Sequence, residues 1–105
     1  MFIAVIFEIQ LPVMDQKILY KIHVKGHVQG VGFRWNAANE ARLRGITGYV
    51  KNLSDGNVFI EAEGFKEQLD AFVEWCRRGP GLSEVENVTA DAFPLADYSE
   101  FRIVH

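Results

Sequence analysis

Apolar and polar residues alternate along the chain from Ile18 to Lys25. The apolar positions in this stretch are Ile18, Tyr20, Ile22 and Val24. Successive side chains of a β-strand point to opposite faces, so this alternation predicts a strand with one buried face. Residues 65–77 instead follow the i, i+3, i+4, i+7 spacing of a helix that buries one face. The apolar positions there are Leu69, Phe72, Val73 and Cys76.

The remaining stretches complete a split βαβ pattern. Residues 34–44 are rich in helix formers, and Gly45 stands where a C-terminal glycine ends a helix. An Asp55-Gly56 step between two short apolar stretches predicts a hairpin. The predicted elements are a strand at 18–25, a helix at 34–44, strands at 48–53 and 57–63, a helix at 65–77, and strands at 85–92 and 98–104. This order predicts an α+β ferredoxin-like sandwich (βαββαβ plus a terminal strand), with two helices on one face of an antiparallel sheet.

The N-terminal segment lies outside this pattern. We expect residues 1–16 to form an extension and residues 17–105 to form one domain. The apolar start at 1–7 lacks the basic residues, the length and the cleavage site of a secretory signal peptide. No stretch approaches the ~20 apolar residues of a membrane-spanning helix. The extension could add an edge strand, stay disordered, or reflect a start codon upstream of the true one at Met14.

The amino-acid composition of the chain indicates which classes of partner it is expected to lack. The 105 residues are 49% hydrophobic and 24% charged, the balance of a globular domain. The net charge of −3 gives no support for binding to duplex nucleic acid, which usually needs a basic excess. Cys76 is the only cysteine, so no intramolecular disulfide can form, as suits a reducing compartment. We therefore expect a cytoplasmic monomer with neither a nucleic-acid nor a membrane partner.

Three glycines within seven residues predict a loop at 26–33, between the first strand and the first helix. Glycines let backbone N–H groups converge on an anion, and the start of a helix favours negative charge. Arg34 adds a planar cationic fork that suits phosphate oxygens. These residues predict a phosphate or carboxylate site, although a plain tight turn with a solvated arginine is an equal alternative at this point. The loop matches neither a P-loop nor a dinucleotide-binding fingerprint.

The run from Gly26 to Arg34, GHVQGVGFR, resembles the signature of the acylphosphatase family. A second run, GYVKN at 48–52, is similar to the family's second signature. Further matching positions are Gly56, Val58, Gly64, Gly79, Pro80, Ser83, Val85, Val88, Phe101, Arg102 and Ile103. The resemblance extends from about Ile18 to the C-terminus, so residues 17–105 are expected to be an acylphosphatase-like domain.

The resemblance implies a function and a set of site residues. The expected reaction is hydrolysis of the carboxyl-phosphate bond of a small acyl phosphate by direct attack of water, giving a carboxylate and inorganic phosphate. Arg34 would clamp the phosphate and Asn52 would orient the water, with no metal and no cofactor. The residues expected to form the phosphate-binding loop are Gly26, His27, Val28, Gln29, Gly30, Val31, Gly32 and Phe33. His27 and Arg44 depart from the residues that the family commonly has at these positions.

Several other residues have simpler interpretations. From turn statistics alone, Asn52 would more often cap a turn than take part in chemistry. The polar residues expected to face solvent are His23, Glu61 and Glu63. The residues expected to pack in the interior are Trp35, Phe72, Trp75 and Cys76.

Three other functions compete with this prediction. One is an acylphosphatase-like domain that handles carbamoyl phosphate within a larger maturation enzyme; the absence of zinc-type cysteine pairs argues against it. A second is RNA binding on the sheet, which the acidic third strand disfavours. The third is a phosphate sensor that has lost hydrolysis, which the presence of Asn52 argues against. The physiological acyl phosphate is not identifiable from these residues.

Overall fold

The computed structural model describes residues 16–105 of the chain. Within this range five strands and two helices follow in the predicted order. The elements are β1 (Lys17–His27), α1 (Phe33–Leu43), β2 (Thr47–Asn52), β3 (Val58–Phe65), α2 (Lys66–Arg78), β4 (Glu84–Phe93) and β5 (Phe101–Val104). The extension predicted over residues 1–16 lies outside the described residues, except for its last residue.

The strands form one sheet in the order β4-β1-β3-β2-β5. The ferredoxin-like α+β fold is confirmed, and β4, β1, β3 and β2 pair antiparallel as predicted. The sheet is nevertheless mixed, because β5 pairs with β2 in parallel, from Gly48↔Phe101 to Lys51↔Val104. The reason lies in the topology. β4 runs antiparallel to β2, so a chain that turns back after β4 and docks at the far edge must run parallel to β2.

The core lies between the two helices and one face of the sheet. α2 contributes the four residues that its periodicity predicts, all of them buried. α1 contributes Phe33 and three alanines, whose small side chains let the helix pack closely on the sheet. Cys76 is fully buried in this core, as predicted, and burial raises the pKa of its thiol.

The opposite face of the sheet, called the outer face below, carries a buried carboxylate. Glu63 was expected to face solvent, but that prediction is wrong, because the side chain is only 5% exposed. The segment that joins β4 to β5 crosses this face and donates three backbone N–H bonds to the carboxylate, from Ala96 (2.6 Å), Asp97 (3.2 Å) and Tyr98 (2.9 Å). Buried charge is tolerated when several hydrogen bonds satisfy it. Glu63 therefore anchors the segment that delivers β5 to its edge.

Glu61 supports the same segment. Its carboxylate accepts hydrogen bonds from the hydroxyls of Tyr98 (2.7 Å) and Tyr49 (3.0 Å). Partial burial, and then the bond to Glu61, raise the pKa of Tyr49 to about 12. His23 also lies on the outer face, between Phe59 and Thr89 of the neighbouring strands. The residue as a whole is half-buried, and its Nε2 is buried without a hydrogen-bond partner within residues 16–105.

Element boundaries differ from the prediction mainly around the glycine loop. β1 continues to His27, because it keeps pairing with β4 after a register shift between Lys25 and Gly26. Gly26 has a φ of 141°, and a Cβ there would lie 2.1 Å from the carbonyl oxygen of Glu84. Only glycine allows the two strands to approach this closely. The loop between β1 and α1 is therefore confined to residues 28–32.

Candidate active site

The loop between β1 and α1 ends in a helix start with uncapped backbone N–H groups. Gly30 and Gly32 have φ values of 72° and 79°, a region that other residues rarely adopt. No side chain caps α1, its first turn has no acidic residue, and Asn36 N–H donates to the Gly32 carbonyl at 3.0 Å. The N–H groups of residues 33–35 precede that first helical bond and have no acceptor within the helix. This end of α1 therefore presents partial positive charge and hydrogen-bond donors, which suit an anion.

A pocket of about 280 Å³ opens beside this helix start. Its lining residues are Val28, Gly30, Gly32, Phe33, Arg34, Trp35, Asn52, Ile103 and His105. The two residues singled out as catalytic from the sequence, Arg34 and Asn52, thus lie in one pocket although 18 positions separate them along the chain. The volume is at the lower end of the range for small-molecule sites, roughly 300–1,000 Å³.

β5 holds the guanidinium of Arg34 in place. Nη1 of Arg34 donates to the carbonyl oxygen of Val104 at 3.1 Å and lies 3.4 Å from Nδ1 of His105. Within the described residues, neither Nε nor Nη2 of Arg34 donates a hydrogen bond. One nitrogen therefore orients the group, and the donors on the other two are available to a ligand.

Asn52 ends β2 with an acceptor that has no partner. Its side-chain Oδ1 is buried and makes no hydrogen bond to any residue in the range 16–105. Asn52 was alternatively expected to cap the turn, but its side chain makes no hydrogen bond to the turn within the described residues. Buried polar atoms without a partner are uncommon in proteins and call for a physical explanation. A hydrogen-bond donor occupying the pocket, such as a water molecule, would satisfy this oxygen.

The parallel pairing of β5 with β2 explains why Arg34 and Asn52 line the same pocket. Parallel strands end at the same edge of a sheet, and Lys51 pairs with Val104. The end of β2 therefore places Asn52 next to the end of β5, whose last carbonyl accepts the bond from Arg34. An antiparallel β5 would have placed its start at this edge instead.

Gln29 connects the glycine loop to the hairpin that follows Asn52. Its Nε2 donates to the carbonyl oxygens of Leu53 (2.7 Å) and Asn57 (2.8 Å). Gln29 was expected to be part of the phosphate-binding loop, yet it does not line the pocket. Its side chain is directed away because two carbonyls at the base of the hairpin accept its hydrogen bonds. It thereby fixes the distance between the loop and the strand that carries Asn52.

The other residues predicted for the loop divide into two groups. Val28, Gly30, Gly32 and Phe33 line the pocket, whereas Gly26, His27 and Val31 do not. The N–H of Gly26 donates to Oδ1 of Asn57 at 3.3 Å, and His27 is an exposed residue at the end of β1. Val31 packs against the core. Four of the eight predicted loop residues therefore line the pocket, and the other four do not.

Trp35, Ile103 and His105 line the pocket, and sequence reasoning assigned none of them to the site. Trp35 was expected to pack in the interior, but that prediction is wrong, because the residue is 65% exposed. The spacing of Phe33, Ala37 and Ala41 could have shown this, since it marks the buried face of α1 and leaves Trp35 on another. Phe72 and Trp75 do pack together, with stacked rings 5.7 Å apart, as predicted.

Within residues 16–105, no three His, Cys, Asp or Glu side chains are grouped so that they could hold a metal ion. Nor does this range contain a helix long and apolar enough to cross a membrane. Arg34 is the one permanently charged residue of the pocket, so a locally cationic pocket exists in a chain of net charge −3.

Together the fold and the pocket define a ferredoxin-like α+β protein with a cationic pocket at a helix start. Comparison with known proteins identifies the family. The acylphosphatase family model matches residues 20–103, and the chain belongs to the acylphosphatase family.

Three relatives illustrate the similarity. An acylphosphatase of Vibrio parahaemolyticus is 44% identical over 81 residues, covering 77% of this chain and 90% of that protein. The crystal structure of an acylphosphatase from Bacillus subtilis superposes with a TM-score of 0.81 at 40% identity, covering 84% of this chain and 99% of that one. A HypF structure from T. kodakarensis has a TM-score of 0.74 at 33% identity, and the match covers 84% of this chain but 12% of the HypF chain.

Proposed function

We propose that this protein hydrolyses acyl phosphates in the pocket between α1 and β5, with Arg34 as the phosphate clamp and Asn52 as the residue that orients water. The observation that carries the proposal is the presence of both groups in one pocket: an arginine with available donors beside a buried amide oxygen without a partner. The products are a carboxylate and inorganic phosphate.

Phosphate binding rests on donors that are in place before the substrate arrives. The residues at the start of α1, whose N–H groups have no acceptor within the helix, line the pocket, and Arg34 adds a charged fork. No Asp or Glu lines the pocket, so no acidic side chain there repels the anion. These groups also stabilise charge on the phosphate oxygens as the bond to the acyl group breaks.

Asn52 supports the attack of water. Oδ1 of Asn52 accepts a hydrogen bond from a water molecule, which directs a lone pair of that water towards phosphorus. A bond then forms between the water oxygen and phosphorus while the bond from phosphorus to the acyl oxygen breaks. The electron pair leaves with the carboxylate, and the water proton passes to a phosphate oxygen. An acyl phosphate has a good leaving group, so positioning and charge stabilisation supply most of what the reaction needs.

A covalent intermediate finds no support in the pocket. No Ser, Thr, Cys, Asp or Glu side chain lines it, so a nucleophile of the usual kinds is missing from the described site. His105 does line it, but its Nδ1 faces Nη1 of Arg34.

The alternative of a phosphate sensor without hydrolysis is disfavoured by the chemistry of Asn52. Nδ2 of Asn52 can donate to an anion, but the buried Oδ1 only accepts hydrogen bonds and so does not itself hold one. Water, which donates, is the partner that this oxygen suits. For the same reason we favour a hydrolase over a simple phosphate-binding module.

The proposed activity also implies a domain, an oligomeric state and a cellular compartment. We infer that residues 17–105 form an acylphosphatase-like domain that acts as a monomer in the cytoplasm. Within the described residues one chain supplies all the groups of the pocket, and the single cysteine, Cys76, is buried as a thiol.

The test follows benzoyl phosphate hydrolysis by the loss of ultraviolet absorbance. We expect turnover by the wild type, competitive inhibition by inorganic phosphate, and loss of both turnover and phosphate binding in Arg34→Ala. Charged hydrogen bonds contribute about 1.5–3 kcal/mol each, so phosphate affinity should fall by about tenfold or more. The matched control is Arg78→Ala, because Arg78 is exposed at the end of α2 and does not line the pocket. Wild-type phosphate affinity in Arg34→Ala, measured by titration calorimetry, would show that the pocket is wrongly assigned.

A further inference from the structure

Trp35 stands out among the exposed aromatic side chains. Of the described residues, Phe65 and Phe93 are also exposed, but each ring lies under a lysine ammonium, at 5.5 Å from Lys17 and 4.2 Å from Lys21. Trp35 is the most exposed of the three at 65% and has no aromatic or cationic partner within residues 16–105. Unlike the two phenylalanines, it lines the pocket.

The pocket has an apolar part to which Trp35 belongs. Once a phosphate occupies the helix start and Arg34, the lining that remains is largely apolar, from Val28, Trp35 and Ile103. The acyl carbon of an acyl phosphate is joined to phosphorus through a single bridging oxygen. The acyl group therefore lies close to the phosphate position, where this apolar lining is available to contact it.

The backbone of Trp35 also lies next to the phosphate position. It follows Arg34 in the first turn of α1, and β5 fixes Arg34 through Val104. A tryptophan offers a large flat surface and loses little conformational freedom when a second flat group stacks on it. A methyl group in the same place would cover little of that surface.

The geometry points to Trp35 as the residue that selects the acyl group: it forms an acyl subsite that favours acyl phosphates with a flat aromatic group over those with a small aliphatic one. This inference rests on the proposed hydrolysis for its kinetic consequence. Its binding consequence does not depend on turnover, and the experiment below uses both.

The kinetic arm compares benzoyl phosphate with acetyl phosphate. Loss of an aromatic stacking partner together with its buried area should lower kcat/KM for benzoyl phosphate about tenfold in Trp35→Ala. The value for acetyl phosphate should change less than about twofold, because the phosphate contacts remain. Trp35→Phe should keep most of the preference, since it keeps an aromatic face. Leu43→Ala serves as the control, because Leu43 is an exposed residue of the same helix outside the pocket.

The binding arm uses benzylphosphonate and methylphosphonate, titrated by calorimetry. We expect the wild type and Leu43→Ala to prefer benzylphosphonate, and Trp35→Ala to lose that preference while binding methylphosphonate as before. An unchanged preference in Trp35→Ala would overturn the inference, and so would equal losses for both phosphonates, which would mark Trp35 as a support of the loop. If the wild type hydrolysed neither substrate, the proposed function would fail, and the phosphonate preference would still decide the role of Trp35.

Discussion

Replacing Asn52 by alanine should lower activity without lowering stability. In the proposed mechanism, Asn52→Ala removes the acceptor that orients the attacking water. Misplacing a reacting group by about 1 Å can cost about 10²-fold in rate, so we expect kcat for benzoyl phosphate to fall by about 10²-fold. KM should change little, because the phosphate contacts come from Arg34 and the start of α1.

The expected change in stability follows from the buried oxygen. Oδ1 of Asn52 has no hydrogen-bond partner among the described residues, and a buried unsatisfied group costs about 1–3 kcal/mol. Deleting it should leave the free energy of unfolding unchanged or raise it by up to that amount. The figure is an upper bound, since solvent water in the pocket offsets part of the cost. If Asn52 capped the turn, its truncation would instead lower the free energy of unfolding by about 0.5–1.5 kcal/mol.

The assay pairs kinetics with urea unfolding at one pH and one salt concentration. Asn57→Ala is the matched control, because Oδ1 of Asn57 accepts a hydrogen bond from the N–H of Gly26 at 3.3 Å. It should lower the urea midpoint and leave kcat nearly unchanged, the opposite pattern to Asn52→Ala. The unfolding slope should stay constant in both variants, so that midpoints can be compared directly.

Two results would refute this reasoning. If Asn52→Ala destabilised the protein as much as Asn57→Ala, Asn52 would be a structural residue whose partner lies elsewhere. If Asn52→Ala kept wild-type kcat, the water would be oriented by another group of the pocket.

Two further predictions concern pH and metals. The pKa of Tyr49 is raised to about 12 by burial and by Glu61, so its protonated form is favoured in the folded state. The stability from this bond is fully present below about pH 10, the ordinary pKa of tyrosine, and is lost as pH rises towards 12. Urea midpoints measured across that range should fall less steeply in Tyr49→Phe, and an equal slope would contradict the assignment. Separately, EDTA should leave benzoyl phosphate turnover unchanged; a loss that one divalent ion restores would overturn the metal-free mechanism.

Local patterns predicted most of the fold. The period of two in β1, the helical spacing in α2 and the Asp55-Gly56 hairpin all depend on neighbouring residues, and the structure has each element within a few positions. The family resemblance pointed to Arg34 and Asn52. A signature can include residues that are far apart in the chain but share one site in the folded protein. The structure brings the pair into one pocket.

Features that depend on distant parts of the chain could not be predicted. A glutamate on a strand is ordinarily solvated, and only the segment crossing the outer face supplies the three N–H groups that bury Glu63. The direction of β5 depends on which edge it reaches, and nothing within residues 101–104 encodes that choice. Likewise, the acceptors of Gln29 lie 24 and 28 positions away, so its signature position did not reveal its structural role.

The bond from Arg34 to Val104 joins residues that lie 70 positions apart. Val104 is the last residue of β5, so this bond can form only when β5 lies at its place beside β2. The clamp is therefore assembled only after β5 has docked beside β2. We expect recovery of enzymatic activity during refolding to report the docking of this strand, whereas far-ultraviolet circular dichroism reports the content of helices and strands as a whole.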